Sequence, residues 1–401
     1  MQNYRDKLLD RKKNNCGKIL VVTRTFFPKE GGIEEYAYNR CLQDAENVIV
    51  LTADCANSKD FDAQQSFSIH RWWIPNWLPH GLLGSCIKQI LNMIGSFWMS
   101  LRLYFRYEYC SIEWCHGYDF PSLWLLSYLL RVKTYMYLHG NDLLCPLRSP
   151  AIKLPFAMTL KRLNGIVCNS SFTEKYLRSH FTLRSPTYII NPSVRAAKFG
   201  SEIDVDFLAQ EREKIRQSFG INSSAIVLLS VGRLVKRKGC DRVIRQIPYL
   251  REKNIDIHYI ICGRGAMEAE LKNLATQLKV SNRVHFAGFV PDRALASYYA
   301  SCDIFTLLTF FNEDAASIEG FGIVYIEAGF FGKPVLAAKI GGVTDAVQNE
   351  VNGLLVDPED EQTISDALLQ LCQDRKLREQ LGSKGKDLAH RQTLHRLIYQ
   401  S

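Results

Sequence analysis

Short apolar runs of strand type alternate with helical segments almost from end to end of this 401-residue chain, in two successive blocks. That alternation constrains the fold more than any other feature, because strands separated by helices pair in parallel and need helices on both faces of their sheet. In the first block strands are expected at 18–23, 47–51, 68–72, 111–114, 134–138, 165–168 and 187–190, with helices that include 33–41 and 120–130. The second block places strands at 225–230, 257–261, 284–286, 304–307, 335–337 and 354–356. A chain of this length exceeds one compact core and suits two domains of roughly 180 residues each. Residues 1–193 form the first domain in this reading, 194–218 a linker, 219–380 the second domain, and 381–401 a helix packing back toward the first. In paired open α/β sheets the ligand lies at the carboxyl ends of the strands, so the loops that follow the strands carry the function.

The net charge of +9 is uneven, with 23 Lys and Arg against 15 Asp and Glu in residues 1–193 but 27 against 26 in the remainder. Such asymmetry suits an acidic partner or an anionic membrane at the first domain, nucleic acid being the weaker candidate and a merely solvated basic face the plain alternative. The twelve cysteines form no Cys-x-x-Cys pair, and Cys168, Cys262 and Cys302 sit in apolar runs as small buried hydrophobes. Cys115-His116 lacks further ligands at zinc spacing, so no metal is expected there. Residues 4–15 are charged, without the apolar centre of an export signal, which makes a reduced, cytoplasmic chain the expectation. Residues 82–101 are mostly apolar, but Lys88, Gln89 and Asn92 interrupt them and Arg102 and Arg106 follow. Internal charge argues against spanning a bilayer. With Trp72, Trp73, Trp77 and Leu78 ahead of it, the segment reads either as a peripheral membrane surface or as a long helix packed in the first domain.

Two carboxylates stand out in Ser317-Ile-Glu-Gly-Phe-Gly-Ile-Val-Tyr-Ile-Glu-Ala328, where Glu319 and Glu327 lie eight positions apart around a glycine turn. A helix beginning near Ile323 offers its free amides to an anion such as a diphosphate, and Glu327, one turn inside, can accept from a diol. An ordinary helix with early acidic residues is the alternative. The strand at 225–230 runs into Val231-Gly-Arg-Leu-Val-Lys-Arg-Lys-Gly239, where Arg233 and Lys238 are aimed at a diphosphate. The next two strands end at Gly263-Arg264-Gly265-Ala-Met267 and Gly288-Phe-Val290, loops expected to wall a nucleotide base. In the first block Gly31-Gly32 opens a helix after the first strand, and His139-Gly-Asn-Asp142 ends the strand at 134–138. A dinucleotide oxidoreductase is disfavoured, since position 268 is Glu where the third fingerprint glycine belongs, and a P-loop enzyme lacks its Gly-Lys-Ser/Thr.

Taken together, Gly31-Gly32-Ile33-Glu34, His139-Gly-Asn-Asp142, Asn169-Ser170-Ser171, Gly232-Arg233 with Lys238-Gly239, Gly263-Arg-Gly265, Glu319-Gly-Phe-Gly322 with Glu327, and Gly341-Gly342-Val343 resemble the family-4 type of GT-B glycosyltransferases. The wording around Glu319 is most similar to the phosphatidylinositol mannosyltransferase branch. The resemblance implies an α/β GT-B fold, two Rossmann-like domains with parallel sheets facing across a deep cleft. It implies a retaining, metal-independent transfer from a nucleotide-diphosphate sugar, GDP- or UDP-linked and possibly mannose, to a glycan or lipid-linked hydroxyl. Arg233 and Lys238 would neutralise the diphosphate, Glu327 would hold the ribose, the amides of Gly322 and Ile323 would touch phosphate or sugar, Glu319 would orient the sugar and His139 would lie beside it. Gly31, Gly32, Gly263, Arg264, Met267 and Val290 complete the implied donor site. Asn191-Pro-Ser-Val-Arg195 departs from the pattern common at the family's hinge. Non-catalytic binding modules and phosphorylase or sucrose-synthase-type enzymes share the fold and remain alternatives.

Overall fold

The structure, a computed structural model, describes residues 17–75, 77, 81–200, 204–311, 317–391 and 397–398; residues 4–15 and Leu78 lie outside them. The described residues contain every strand expected from the sequence, with ends shifted by at most two residues. In the first unit these are β1 (Ile19–Val22), β2 (Val48–Ala53), β3 (Ser68–Trp72), β4 (Ser111–Trp114), β5 (Lys133–Leu138), β6 (Gly165–Cys168) and β7 (Thr187–Ile189). The second unit holds β8 (Ile226–Val231), β9 (Ile257–Cys262), β10 (Val284–Gly288), β11 (Ile304–Leu307), β12 (Val335–Ala338) and β13 (Gly353–Val356).

The first sheet runs β3-β2-β1-β4-β5-β6-β7 and the second β10-β9-β8-β11-β12-β13, both wholly parallel. In each, the first strand pairs on one side with the second and on the other with the fourth, so Ile19 faces both Val48 and Ser111. Strand order reverses there, and helices diverge to opposite faces, leaving a crevice beyond the strand ends. Burial on both faces explains why β1 and β12 read as unbroken apolar runs and not as alternating ones, and why the Ser, Glu and His of β4, β8 and β9 are buried with them.

The units divide after Ile190, the second beginning at Asn191 and the first regaining Leu397 and Ile398. Two boundaries therefore differ from the sequence expectation. Residues 194–218 are no bare linker: they hold the 3-10 turn Ala196–Phe199 and the helix Val205–Ser218, which packs on the helix Asp292–Ser301. Arg212 and Arg216 of that helix clamp Asp303 at 2.8 and 2.7 Å, a polar anchor that hydrophobic patterning does not reveal. The helix Arg375–Arg391 packs on Ile323–Phe330 within the second unit, and it is Ile398, beyond it, that joins an apolar cluster of the first.

Candidate active site

The loop after β8 is drawn against the segment after β11. Gly239 makes this possible, since its φ is 65° and a Cβ there would sit 1.9 Å from the carbonyl oxygen of Leu308. The Phe310 amide then donates to the Arg237 carbonyl at 3.0 Å. At this reversal point Glu319 Oε2 accepts from Lys238 Nζ at 2.6 Å and from Arg237 Nη1 at 2.7 Å. Its backbone is fixed by the Gly342 amide, which donates to the Glu319 carbonyl at 3.0 Å. Burial alone would raise the Glu319 carboxyl, but the charges of Lys238 and Arg237 override it and hold it down to about 2. Burial also lowers the Lys238 ammonium, with Glu319 opposing.

Three residues beyond Glu319, Gly322 takes φ 87° and opens the helix Ile323–Phe330. The first turn of that helix holds no acidic residue, so its positive end is uncompensated by the chain itself. The helix after β1 differs: the Glu34 carboxylate lies over the backbone of Gly31, and Glu34 and Glu35 are both buried in the first turn. Of the helix N-termini at Gly32 and Ile323, the one at Ile323 is electrostatically open.

Glu327 does not stand open to a diol in this conformation, contrary to expectation. Only 1% exposed, it accepts from Lys198 Nζ at 2.7 Å through Oε1 and from Tyr299 Oη at 2.9 Å through Oε2. A carboxylate this deep needs such partners, and Lys198 supplies the charge, with Asp292 3.4 Å from the same ammonium. Asp292 is itself raised, by burial.

Arg233 and Arg264 are exposed at the tips of their loops, and Met267 and Val290 are half-buried at the margin of the second core. Backbone bonds stitch these loops together: Leu234 donates to Arg264 at 2.9 Å, Met267 to Leu234 at 3.0 Å and Gly263 to Gly288 at 2.7 Å.

Gly31, Gly32 and His139 belong to the first unit. Gly31 and Gly32 are exposed after β1, while His139 follows β5. Asp142 accepts from the amides of His139 and Gly117 at 2.8 and 2.9 Å, holding the loops after β5 and β4 together. The His139 ring places Nε2 3.0 Å from the Cys115 carbonyl oxygen, and because a carbonyl only accepts, the proton resides on Nε2 and Nδ1 presents a lone pair. Burial pushes the imidazole pKa below its usual value, so the neutral ring dominates.

Sequence reasoning missed Arg237, Lys198 and Tyr299. Arg237 was visible as a neighbour of Lys238, but only the 3-10 turn Lys236–Lys238 shows that both reach one carboxylate. Lys198 lies in the stretch read as linker, and no local signal joins it to Glu327. Among the described residues no group of three or more His, Cys, Asp or Glu is placed to hold a metal ion.

Residues 211–388 match the family model for glycosyl transferases group 1. Over 386 residues the chain is 27% identical to a GDP-mannose-dependent alpha-(1-6)-phosphatidylinositol monomannoside mannosyltransferase of Mycolicibacterium smegmatis, covering 92% of this chain and 93% of that protein. It is 25% identical over 378 residues to the monoacylated-substrate counterpart of Corynebacterium glutamicum, covering 92% of each. Among solved structures, Anabaena HepE in complex with UDP and glucose superposes with a TM-score of 0.73 at 21% identity, covering 94% of this chain and 95% of that one, a likeness of fold.

Proposed function

The chain is a glycosyltransferase with a group 1 domain over residues 211–388, and from that premise we propose that it moves a mannosyl group from GDP-mannose to a hydroxyl of a lipid-linked or glycan acceptor, with retention and without a metal. The observation that carries the reading is the Lys238–Glu319–Arg237 cluster beside the open helix N-terminus at Ile323. Two cations and a positive helix end at a strand reversal suit a diphosphate. The GDP-mannose dependence of the two mannosyltransferases supports the choice of donor.

In the proposed reaction the donor diphosphate shares Lys238 and Arg237 with Glu319 and meets the amides of Gly322 and Ile323, with Arg233 closing from the loop tip. Freed of part of its ion pair, Glu319 accepts from sugar hydroxyls. The bond from the anomeric carbon to the diphosphate oxygen breaks as the acceptor oxygen bonds to the same face, and the acceptor proton passes to the leaving phosphate. Fixed cations stabilise charge as it develops on that leaving group. His139, neutral and held by the Cys115 carbonyl, presents Nδ1 to a sugar hydroxyl. Glu327 binds the ribose once Lys198 releases Oε1.

Thermal unfolding with GDP, UDP, ADP and their sugar conjugates, with and without magnesium, tests this, because a ligand of the native state raises the midpoint by mass action. A selective, magnesium-independent shift with GDP and GDP-mannose is expected. Folded protein unmoved by every nucleotide refutes the site, and selectivity for UDP refutes the donor.

A further inference from the structure

Glu327 cannot meet a ribose while both of its present partners stay. Lys198 Nζ takes Oε1 at 2.7 Å, Tyr299 Oη takes Oε2 at 2.9 Å, and the carboxylate between them is almost wholly buried. One partner has to leave before two vicinal hydroxyls can donate in its place.

Packing decides which. Tyr299 is fully buried, its ring stacked on Phe331 at 5.2 Å between centroids and 11° between planes, with Phe305 tilted against it at 5.9 Å. A ring so enclosed swings away only if the close-packed core of the second unit opens. Lys198 is held differently. Its turn, Ala196–Phe199, is anchored by Phe199, which stacks on Phe330 at 5.8 Å and meets Phe331 edge-on at 4.9 Å. The backbone is thereby fixed, while the ammonium rides on a flexible four-carbon stem. A second acceptor stands within reach. Asp292 Oδ1 lies 3.4 Å from Lys198 Nζ, and its side chain is 19% exposed against 1% for Glu327. Asp292 opens the helix Asp292–Ser301, whose positive end favours a carboxylate there and keeps it ready as a counter-ion.

On the reading that Glu327 holds the ribose, we infer that Lys198 is a specificity-determining residue of the donor site: it competes with the ribose diol for Glu327 and passes to Asp292 when a ribonucleotide binds. In the unliganded enzyme Lys198 neutralises a carboxylate that burial would otherwise penalise. With nucleotide bound, the two hydroxyls donate to Glu327, Tyr299 stays, and the ammonium keeps a carboxylate partner in Asp292. A nucleotide that lacks the diol offers Glu327 nothing in exchange and leaves Lys198 in place. Affinity thus depends on the sugar as well as on the base and the diphosphate.

Titration calorimetry of the full chain with GDP and with 2′,3′-dideoxy-GDP tests this. Lys198→Met keeps the apolar stem and removes the competitor, so GDP should bind about 10-fold more tightly than to wild type, one charge-assisted bond no longer being displaced. Affinity for dideoxy-GDP should stay that of wild type. Asp292→Asn removes the second acceptor and should weaken GDP by a similar factor, again with dideoxy-GDP unmoved. The direction discriminates, because loss of a cation that merely attracts the nucleotide anion would weaken both ligands. Unliganded Lys198→Met should melt below wild type, having lost the ion pair, and Asp292→Asn carries the test if that protein does not fold. Failure of wild type to bind any nucleotide refutes the donor site and this inference with it. Where wild type binds GDP, the inference alone is overturned by a Lys198→Met protein that binds GDP no more tightly, by an Asp292→Asn protein that binds it as wild type does, or by variants that change both nucleotides alike.

Discussion

Replacing Glu319 by glutamine keeps shape and one acceptor oxygen but removes the charge that balances Lys238 and Arg237. The side chains of the three residues are 12, 11 and 9% exposed, so solvent screens the cluster only in part. Each charge-assisted bond contributes about 1.5–3 kcal/mol, and with one neutral acceptor surviving the expected loss is about 2–3 kcal/mol. For a unit of this size that lowers the melting midpoint by roughly 4–12 °C. The pH arm follows from linkage. The carboxyl ionises at about 2 when folded, against an ordinary value of 4.5. A depressed folded pKa gives stability that is complete above 4.5 and lost as pH falls toward 2. The gap between wild type and Glu319→Gln should thus be constant near neutrality and shrink in acid. GDP should raise the midpoint of the variant more than that of wild type, because the diphosphate supplies the missing negative charge. Calorimetry across pH, with and without GDP, measures all three. Equal midpoints at neutral pH together with equal GDP shifts would show that the ion pair is not the donor site.

Lys238→Ala should cut turnover about 100-fold or more while the fold persists, since removing one donor to developing charge typically costs about 3 kcal/mol; near-normal turnover under saturating donor refutes its role. Tyr299→Phe removes one of the two side-chain donors to Glu327 and should lower stability by about 1–3 kcal/mol in denaturant titration. Gly322→Ala forces φ 87° on an L residue and sets a methyl 2.4 Å from the Tyr325 ring, which is pinned by its hydroxyl to the Leu307 carbonyl; lower stability and weaker GDP binding are expected by calorimetry. Because the folded His139 pKa lies below the usual 6.5, the neutral ring persists as pH falls through that value, and the pH profile of kcat should show no His139 inflection there. Turnover should survive chelation by EDTA, and its loss would refute the metal-independent reading.

Strand positions were legible in the sequence because a doubly covered parallel sheet demands uninterrupted apolar runs, and Leu228, Ile260 and Phe305 serve the same need in neighbouring strands. The glycines at 239 and 322 were legible for a related reason, since their conformations exclude most other residues. The Glu319 and Glu327 spacing was local and also readable. Their different fates were not: one carboxylate meets Lys238 and Arg237 from the loop after β8, the other is sealed by Lys198 and Tyr299, at separations of 81, 82, 129 and 28 residues. Whether the apolar positions of the Leu82–Tyr107 helix face core or surroundings was equally open, because periodicity shows that a stripe exists and only packing shows which side the sheet occupies. Local chemistry is written in the order of residues, whereas charge pairing and burial depend on what the chain brings back from far away.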